Sequence, residues 1–527
     1  MTNELAIIRS LIIYSLCLPL AIFLGYVLAM PLDPVSLTII VLAVSLPLIP
    51  VLLRWHHVLL VASWNMSAVL FFIPGRPNLF IALAIVSLTI SILHQVLHRD
   101  GRFISVPSVT RPLILLLIVI VITAELTGGF GMRVTGGDSY GGKRYVFLLA
   151  AIAGYFAITY ERVPEEKASK FFALYLLGSL TSIVGSIAPF MHYSLYFLFT
   201  IFPVENLQAL RAGSDVAGSS VRLGGLAFSC LAVVYFVLGR HGISGLFGLS
   251  EPWRFMPVRF RGGFSINHPW RILIFLFMIW VGLLGGYRSL TIALVLTFAI
   301  QFYFEGMYRT GVLPVLVLVG ILATALCLPM VQRLPITIQR SLSFLPIEVD
   351  PVAQASADST SEWRLAIWRA VLPTVPQYLI LGKGYSINPA ELEMQEKLAK
   401  FQNTGDSGEG AILAGDYHNG PLSVIVPFGI FGAIAFLWFL GASFRVLLYN
   451  YRYGDAGLKS INTFLLSLFT ARCISFFFVF GSLHSELASF TGIVALSICL
   501  NGGIRRPVTV PVEKPTFNQF KLARAAK

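Results

Sequence analysis

The sequence has little charge for its size. Charged residues make up 12% of 527 residues, hydrophobic residues make up 56%, and the mean hydropathy is +0.80. A soluble domain does not carry this balance, because it needs a polar surface to stay in water. The composition therefore excludes an ordinary soluble enzyme and predicts a membrane protein.

Clustered metal ligands are missing as well. The cysteines all fall in apolar runs, where a thiol serves as a small packing residue. They are Cys17, Cys230, Cys327, Cys473 and Cys499. The sequence also lacks a DxD-type signature, zinc spacing and glycosidase-like carboxylate pairs. We therefore expect a mechanism that uses no metal ion and no other cofactor.

Apolar runs of about 20 residues recur along the chain, and each is long enough to cross a bilayer. Backbone groups cannot face lipid unpaired, so the predicted fold class is all-α, a polytopic membrane protein with about fourteen transmembrane helices. The first run is read as a membrane helix rather than a removable signal peptide. The predicted spans are 10–29, 35–53, 58–74, 78–97, 112–127, 145–160, 171–189, 223–239, 272–286, 289–304, 311–331, 420–448, 461–480 and 486–502.

Basic residues concentrate in a few connections between these spans. They lie within 99–111, 240–271, 445–459 and 505–527. With fourteen spans all four segments fall on one side, which the positive-inside rule makes cytoplasmic, together with both termini. The net charge of +13 therefore reflects membrane orientation rather than nucleic-acid binding.

This topology divides the chain into five parts. We predict N-terminal helices over 1–219, helices with arginine motifs over 220–331, a large periplasmic loop over 332–419, C-terminal helices over 420–503 and a basic cytoplasmic tail over 504–527.

Short helices are predicted inside the loop. Ser361 is expected to cap one helix, and Asn388 with Pro389 is expected to begin another. The glycines of 381–385 predict a turn between the two helices, and those of 404–410 predict a mobile tip.

Three residues are expected at the outer mouths of the spans. Arg222 precedes one span, Arg288 lies in a tight hairpin between two spans, and His418 enters the span that begins near Gly420. Each arginine has an ordinary alternative as an interfacial side chain that reaches toward lipid headgroups. However, arginines on the outer side are uncommon, and a guanidinium group suits bidentate phosphate binding. A titratable imidazole beside two cations indicates chemistry on an anionic lipid-linked substrate.

Further candidates follow from their positions. Arg472 lies inside an apolar span, where it either faces a cavity or substrate or makes a structural ion pair. His484 precedes the last span and is a second candidate for proton transfer. The remaining secondary candidates are Arg364, Lys383, Tyr385 and Asn419.

Four short stretches resemble the O-antigen ligase and O-antigen polymerase family of bacterial membrane glycosyltransferases. Their order, and the outer loop between the third and the fourth, are similar to the family pattern over roughly 220–445. The stretches are VRLGG at 221–225, GYRS at 286–289, RLAIW at 364–368 leading to LGKGY at 381–385, and HN at 418–419 followed by GIFG at 429–432.

The resemblance implies a GT-C-like architecture in the bacterial inner membrane. It implies an undecaprenyl-diphosphate-linked glycan donor and an acceptor hydroxyl on a glycan, a lipid or a protein, with transfer on the periplasmic side. Arg222 and Arg288 would then bind the diphosphate, and His418 would accept the hydroxyl proton. Ligase, polymerase and protein-glycosylating activities all remain open, and a transporter or flippase of a lipid-linked glycan is the alternative from another class.

Overall fold

The structure is a computed structural model that describes most of the chain. The described residues are 14–15, 17–19, 21–22, 25, 34–73, 75–97, 103–131, 141–204, 223–247, 269–345, 347–388, 390, 393 and 409–507. The chain divides into two compact units, Met1–Leu59 and Leu60–Lys527. Every candidate site residue of the sequence lies within the limits of the second unit.

The regular structure of the described residues is helical, apart from isolated bridge residues such as the pair Val69 and Asn78. Most of these helices are rich in apolar side chains. A segment in lipid must satisfy its own backbone hydrogen bonds, and an α-helix does so. The longer helices are α1 (Pro34–Ser63), α2 (Leu79–Leu97), α3 (Pro107–Leu126), α4 (Gly142–Ile158), α5 (Glu165–Leu177), α6 (Gly224–Leu246), α7 (Pro269–Leu283), α8 (Arg288–Phe304), α9 (Val312–Cys327), α10 (Ile336–Leu342), α11 (Pro351–Val371), α12 (Gly420–Tyr453), α13 (Lys459–Phe478) and α14 (Leu483–Asn501).

Seven helical segments among the described residues are long and apolar enough to cross a membrane. The expectation of an all-α membrane protein is therefore confirmed, while the count of fourteen spans stays a prediction. The division between the predicted spans 35–53 and 58–74 is wrong, because α1 continues without a break from Pro34 to Ser63. The polar residues near Arg54 look like a loop in the sequence, but arginine is a good helix former and does not end a helix.

The most buried helices surround the candidate site. Helix α12 packs against α3, α13 and α14, while α13 also packs against α6 and α8. Phe464, Phe469 and Phe490 are fully buried in this region. The Phe469 and Phe490 rings pack with centroids 5.6 Å apart and so join α13 to α14.

Helix α11 begins earlier than the sequence predicts. Its N-cap is Asp350, whose carboxylate accepts a 2.8 Å hydrogen bond from the Val352 backbone N–H, with Pro351 as the first helical residue. Ser361 is therefore not a cap, and its hydroxyl instead donates to the Ala357 carbonyl within the helix. The first ten residues of α11 lack an apolar stripe, so hydrophobic periodicity cannot reveal them.

Helix α12 is broken near its N-terminal end. Gly429 adopts φ 62° and ψ −163°, two residues after Pro427. The Ile430 N–H donates to the Leu379 carbonyl at 2.7 Å, outside the helix. Loop backbone at Leu379 and Ile380 therefore approaches the helix closely at Gly429.

The turn predicted at 381–385 is present, and its N–H groups donate hydrogen bonds to the helix carbonyls that the break leaves unpaired. The Lys383 N–H donates to the Val426 carbonyl at 2.8 Å, and the Gly384 N–H donates to the Pro427 carbonyl at 3.0 Å. Gly382 and Gly384 both have positive φ values, 87° and 69°. The turn thus satisfies helix carbonyls that would otherwise be unpaired near the apolar region.

Substitution of Gly429 by alanine should unfold this junction. A Cβ atom at Gly429 would lie 2.5 Å from the Ile380 carbonyl oxygen, on a backbone with positive φ. We expect Gly429→Ala to destabilise the protein by at least about 2 kcal/mol, through strain and overpacking. Gly441→Ala on the same helix is the matched control, since its Cβ would meet no atom within 4 Å. Equal thermal unfolding temperatures for the two purified variants would contradict this account of the break.

Candidate active site

His418 lies between the short helix Glu409–Leu413 and the start of α12. Its backbone has φ 47°, a left-handed conformation that histidine tolerates better than most residues do. The imidazole ring lies between Trp363 and Phe480, with ring centroids 5.0 and 5.1 Å away. Its side chain keeps 22% exposure, so a ligand can still reach it.

The residues on either side hold His418 in place. The Asn419 side chain caps α12 by accepting a 3.1 Å hydrogen bond from the Leu422 N–H. Tyr417 is buried, and its carbonyl accepts a 2.9 Å hydrogen bond from the Trp368 indole N–H. Burial also raises the pKa of the Tyr417 phenol to about 12. Asn419 and Tyr417 therefore act as positioning residues in this geometry.

The electrostatics of His418 favour the neutral imidazole. Burial is the largest effect and lowers the pKa of His418 below its usual 6.5, and the nearby Arg364 guanidinium lowers it further. Asp416 opposes this by raising the pKa, with its carboxylate 3.9 Å from Nδ1. Nδ1 is itself buried and has no hydrogen-bond partner among the described residues, so the exposed part of the side chain lies elsewhere on the ring. His418 is thus uncharged at neutral pH and able to accept a proton.

Arg288 is the first residue of α8, and only four residues separate it from the end of α7 at Leu283. The tight hairpin expected here is present, with Gly286 at φ 74°. One terminal nitrogen of Arg288 donates to the Ala357 carbonyl at 2.8 Å and to the Ser361 hydroxyl at 3.2 Å. Arg288 therefore joins the start of the apolar helix α8 to helix α11.

One row of side chains on α11 connects Arg288 with His418. Ala357 and Ser361 contact Arg288, and Arg364 and Trp368 follow at helical spacing. Arg364 lies over the Phe480 ring at 5.4 Å, and Trp368 binds the carbonyl of the residue before His418. Ser361 and Trp368 are separated by about 10 Å along the helix axis. The predicted candidates Arg288, Arg364 and His418 are thus brought to one region of the protein.

A second group of residues surrounds Tyr385. The Arg144 guanidinium lies over the Tyr385 ring at 5.5 Å, and the His484 ring packs against its edge at 6.2 Å. The Tyr385 N–H donates to the Tyr145 hydroxyl at 2.8 Å. Burial raises the pKa of the Tyr385 phenol, so it remains protonated. His484 accepts or donates a 2.8 Å hydrogen bond with Ser482 through Nδ1, while Nδ1 of His418 has no such partner among the described residues.

The sequence reasoning missed Arg144. It lies in the first turn of α4, after Gly141 and Gly142, on a segment that the predicted topology places outside. Its side chain has no ion pair among the described residues. The signal that singled out Arg288, a cation on the outer side of the membrane, also applies to Arg144.

Arg472 forms an ion pair inside the helix bundle. Its guanidinium lies 3.1 Å from the Glu486 carboxylate, and both residues line a cavity of about 100 Å³. The cavity also contacts Ser289, next to Arg288, and Phe480, next to the His418 ring. The ion-pair alternative therefore holds for Arg472, although the pair also faces a cavity beneath the candidate site.

Two further candidates, Lys383 and Arg222, take no part in the contacts described above for this group. Lys383 contributes its backbone N–H to the α12 break, and its side chain is half-buried. Arg222 lies outside the described residues, immediately before Leu223 at the N-terminal boundary of α6. No group of three or more His, Cys, Asp or Glu side chains suited to a metal ion occurs in the described part of the chain.

Comparison with known proteins gives one family. The family model described as O-antigen ligase matches residues 273–437. The matched segment contains Arg288, Arg364, Lys383, Tyr385 and His418. Among curated proteins, no match is found for this chain. The resemblance inferred from the short motifs is confirmed over this segment, and the chain carries an O-antigen ligase-like domain.

Proposed function

We propose that this protein transfers a glycan from an undecaprenyl-diphosphate carrier to an acceptor hydroxyl on the periplasmic side of the bacterial inner membrane. The observation that carries the proposal is the neutral, accessible His418 imidazole beside Arg364, within the segment that matches the O-antigen ligase family. Arg288 lies at the start of a span that belongs to the same segment.

In the proposed reaction, His418 accepts the proton of the acceptor hydroxyl while the acceptor oxygen bonds to the anomeric carbon of the donor sugar. The bond from that carbon to the diphosphate oxygen breaks, and undecaprenyl diphosphate leaves with the bonding electrons. Negative charge builds up on the leaving diphosphate, so cations directed there stabilise the transition state more than the ground state. Arg288 is the first candidate for this role.

We assign further arginines to the same leaving diphosphate. Arg364 lies close enough to His418 to lower its pKa, so an anion bound between these residues is close to the base. Arg144 adds positive charge beside Tyr385 and His484. Arg222 keeps its predicted role in binding the diphosphate. All of these contacts use protein side chains, so the proposed mechanism is independent of metal ions.

The helix breaks bear on the transporter alternative. Transporters use broken helices whose free backbone groups coordinate ions or substrate. Here the break at Gly429 is bonded by Lys383 and Gly384, and the break at Gly242 is capped by the Glu305 carboxylate, which accepts from the Ile243 N–H at 2.9 Å. Because protein groups already satisfy these breaks, they offer no open ion site, and glycan transfer is the better-supported function.

The proposal is tested by incubating the purified protein in detergent with a defined undecaprenyl-diphosphate oligosaccharide and candidate acceptors. Products are separated by mass, and EDTA is present throughout. We expect a glycan–acceptor conjugate together with free undecaprenyl diphosphate. A transporter forms no conjugate in detergent, so an unchanged donor with every acceptor class would overturn the proposal. The acceptor that reacts would also distinguish ligase, polymerase and protein-glycosylating activity.

The proposed placement of the site predicts a membrane topology. A reporter fused near Gly408 should read periplasmic, because this position lies in the predicted large loop, whereas reporters near Tyr453 and Ala525 should read cytoplasmic. Paired phosphatase and fluorescent-protein fusions at the three positions measure this. A cytoplasmic signal near Gly408 would place His418 on the wrong side for the proposed reaction.

The pH dependence of transfer should follow the charges beside His418. A base must be deprotonated, so activity should rise with pH through an ionisation below 6.5 and then level off. Arg364 lowers the pKa of His418, so Arg364→Gln should move the rise to higher pH. Asp416 raises the pKa, so Asp416→Asn should move the rise to lower pH. The check is kcat/KM against pH for the three proteins, and shifts in the same direction would rule out His418 as the titrating group.

A further inference from the structure

A second cluster of cations lies at the other end of the same helices. An open cavity of about 470 Å³ is lined by nine residues, among them three tyrosine and three basic side chains, and we call it the basic pocket. These side chains are Tyr303, Tyr308, Tyr451, Arg309, Arg452 and Lys459. The remaining lining residues are Phe304, Gly306 and Leu448.

The helix order separates the basic pocket from the candidate active site. Helix α8 begins at Arg288 in the candidate site and ends at Phe304 in the pocket. Helix α12 likewise begins just after His418 and carries Tyr451 and Arg452 near its end. The two sites therefore lie at opposite ends of the same membrane helices, and the pocket is where apolar spans give way to polar loops.

Aromatic contacts build the walls of the basic pocket. The Tyr451 hydroxyl donates to the Phe304 carbonyl at 2.7 Å and so joins the ends of α12 and α8. The Tyr303 and Tyr308 rings stack with centroids 5.2 Å apart and planes 13° apart. The turn that allows this stacking passes through Gly306, which has φ 73°.

Two of the three basic side chains in the basic pocket contact aromatic rings, and none of the three forms an ion pair among the described residues. Lys459 donates to the Tyr451 carbonyl at 2.8 Å and lies 4.1 Å from the centre of its ring. Arg309 lies over the Tyr308 ring at 5.2 Å. Neither these two residues nor Arg452 has an ion pair among the described residues.

The nearby carboxylates are already engaged elsewhere. Glu305 accepts hydrogen bonds from the Ile243 and Ser244 N–H groups, at 2.9 and 3.0 Å. Asp455 accepts a 2.6 Å hydrogen bond from Arg505 and lies 3.7 Å from Arg162. The donors to Glu305 are neutral N–H groups, so its negative charge remains and acts on Tyr451. The three basic side chains outnumber this one acid, which leaves a net positive charge on the concave surface.

We propose that the basic pocket binds the phosphate-bearing headgroup of an anionic phospholipid. Phosphate could come from a lipid or from a soluble anion, but two features favour the lipid. The pocket lies where the helices meet the headgroup region, and its aromatic rings and Leu448 offer apolar contact to the start of an acyl chain. This inference does not depend on the glycan-transfer proposal.

The test uses cardiolipin as a two-phosphate probe in phosphatidylcholine nanodiscs, with bound lipid counted by native mass spectrometry. The test variant is Arg309→Gln/Arg452→Gln/Lys459→Gln. The matched control, Lys167→Gln/Lys170→Gln/Arg445→Gln, removes the same charge from exposed residues on the same predicted side. We expect the test variant to bind cardiolipin at least about tenfold more weakly than the wild type, and the control to bind normally.

Equal loss in the two triple variants would overturn the proposal, because it would show general surface attraction. A double variant, Arg309→Gln/Arg452→Gln, keeps the Lys459 contact with Tyr451 and should still weaken binding if the triple variant does not fold.

Inorganic pyrophosphate is added in a second arm, and we expect it to leave the lipid bound. Full displacement of cardiolipin by pyrophosphate would identify a soluble anion as the ligand and contradict the lipid assignment.

Discussion

Replacing His418 with asparagine is expected to reduce turnover by about 10²–10⁴-fold, which is the usual contribution of a general base. Asparagine tolerates the left-handed backbone that His418 adopts at φ 47°, so the fold should survive. It has no basic nitrogen, so the proton of the acceptor hydroxyl has no nearby acceptor. Donor affinity should change little, because the arginines bind the diphosphate. Turnover and donor dissociation constant are measured on the same preparation.

Three further variants separate the base from a positioning role. His418→Gln would retain much of the rate if the imidazole only held the acceptor through a hydrogen bond. His484→Ala should have a smaller effect than His418→Asn, because the proposed mechanism assigns the proton transfer to His418. His192→Ala, on an exposed loop segment, should be neutral. Full turnover in His418→Asn, or a defect confined to donor affinity, would mean that another residue is the base.

Replacing Arg288 with lysine should lower kcat/KM by about 10²-fold, although the positive charge is kept. Lysine cannot present the planar fork of donors that matches a diphosphate. Arg369→Lys is the matched control, since Arg369 is an exposed arginine on α11. The rates of transfer are compared at equal concentrations of folded protein.

Arg288 also holds helix α11, and this role needs its own control. Ser361→Ala removes one of the two α11 hydrogen bonds of Arg288 but keeps the guanidinium group. If Arg288 acts on the diphosphate, Ser361→Ala should stay close to wild-type rates while Arg288→Lys does not. Similar losses in both variants, together with lowered unfolding temperatures, would reduce Arg288 to a structural contact.

Much of the candidate site is local in the sequence and could therefore be predicted. The hairpin before Arg288 depends on adjacent glycines, and the start of α12 depends on the Asn419 cap, so both follow from neighbouring residues. The apolar runs likewise predicted an all-α membrane fold, because the bilayer leaves few alternatives.

Tertiary contacts could not be predicted in the same way. The break at Gly429 depends on hydrogen bonds from Lys383 and Gly384, more than 40 residues earlier in the chain. Arg144 reaches Tyr385 across a larger separation, and no local pattern connects the two. The start of α11 was missed because its first turns lack an apolar stripe. The first two features depend on packing between distant segments, whereas the start of α11 is set by the local cap at Asp350 and Pro351.

The position of the donor diphosphate tests the central claim most directly. A cryo-electron microscopy structure of the His418→Asn variant with an undecaprenyl-diphosphate oligosaccharide would show it. The account predicts that the diphosphate contacts Arg288 and lies beside Arg364, with the anomeric carbon facing residue 418. A diphosphate bound away from Arg288, with residue 418 out of reach of the sugar, would contradict it.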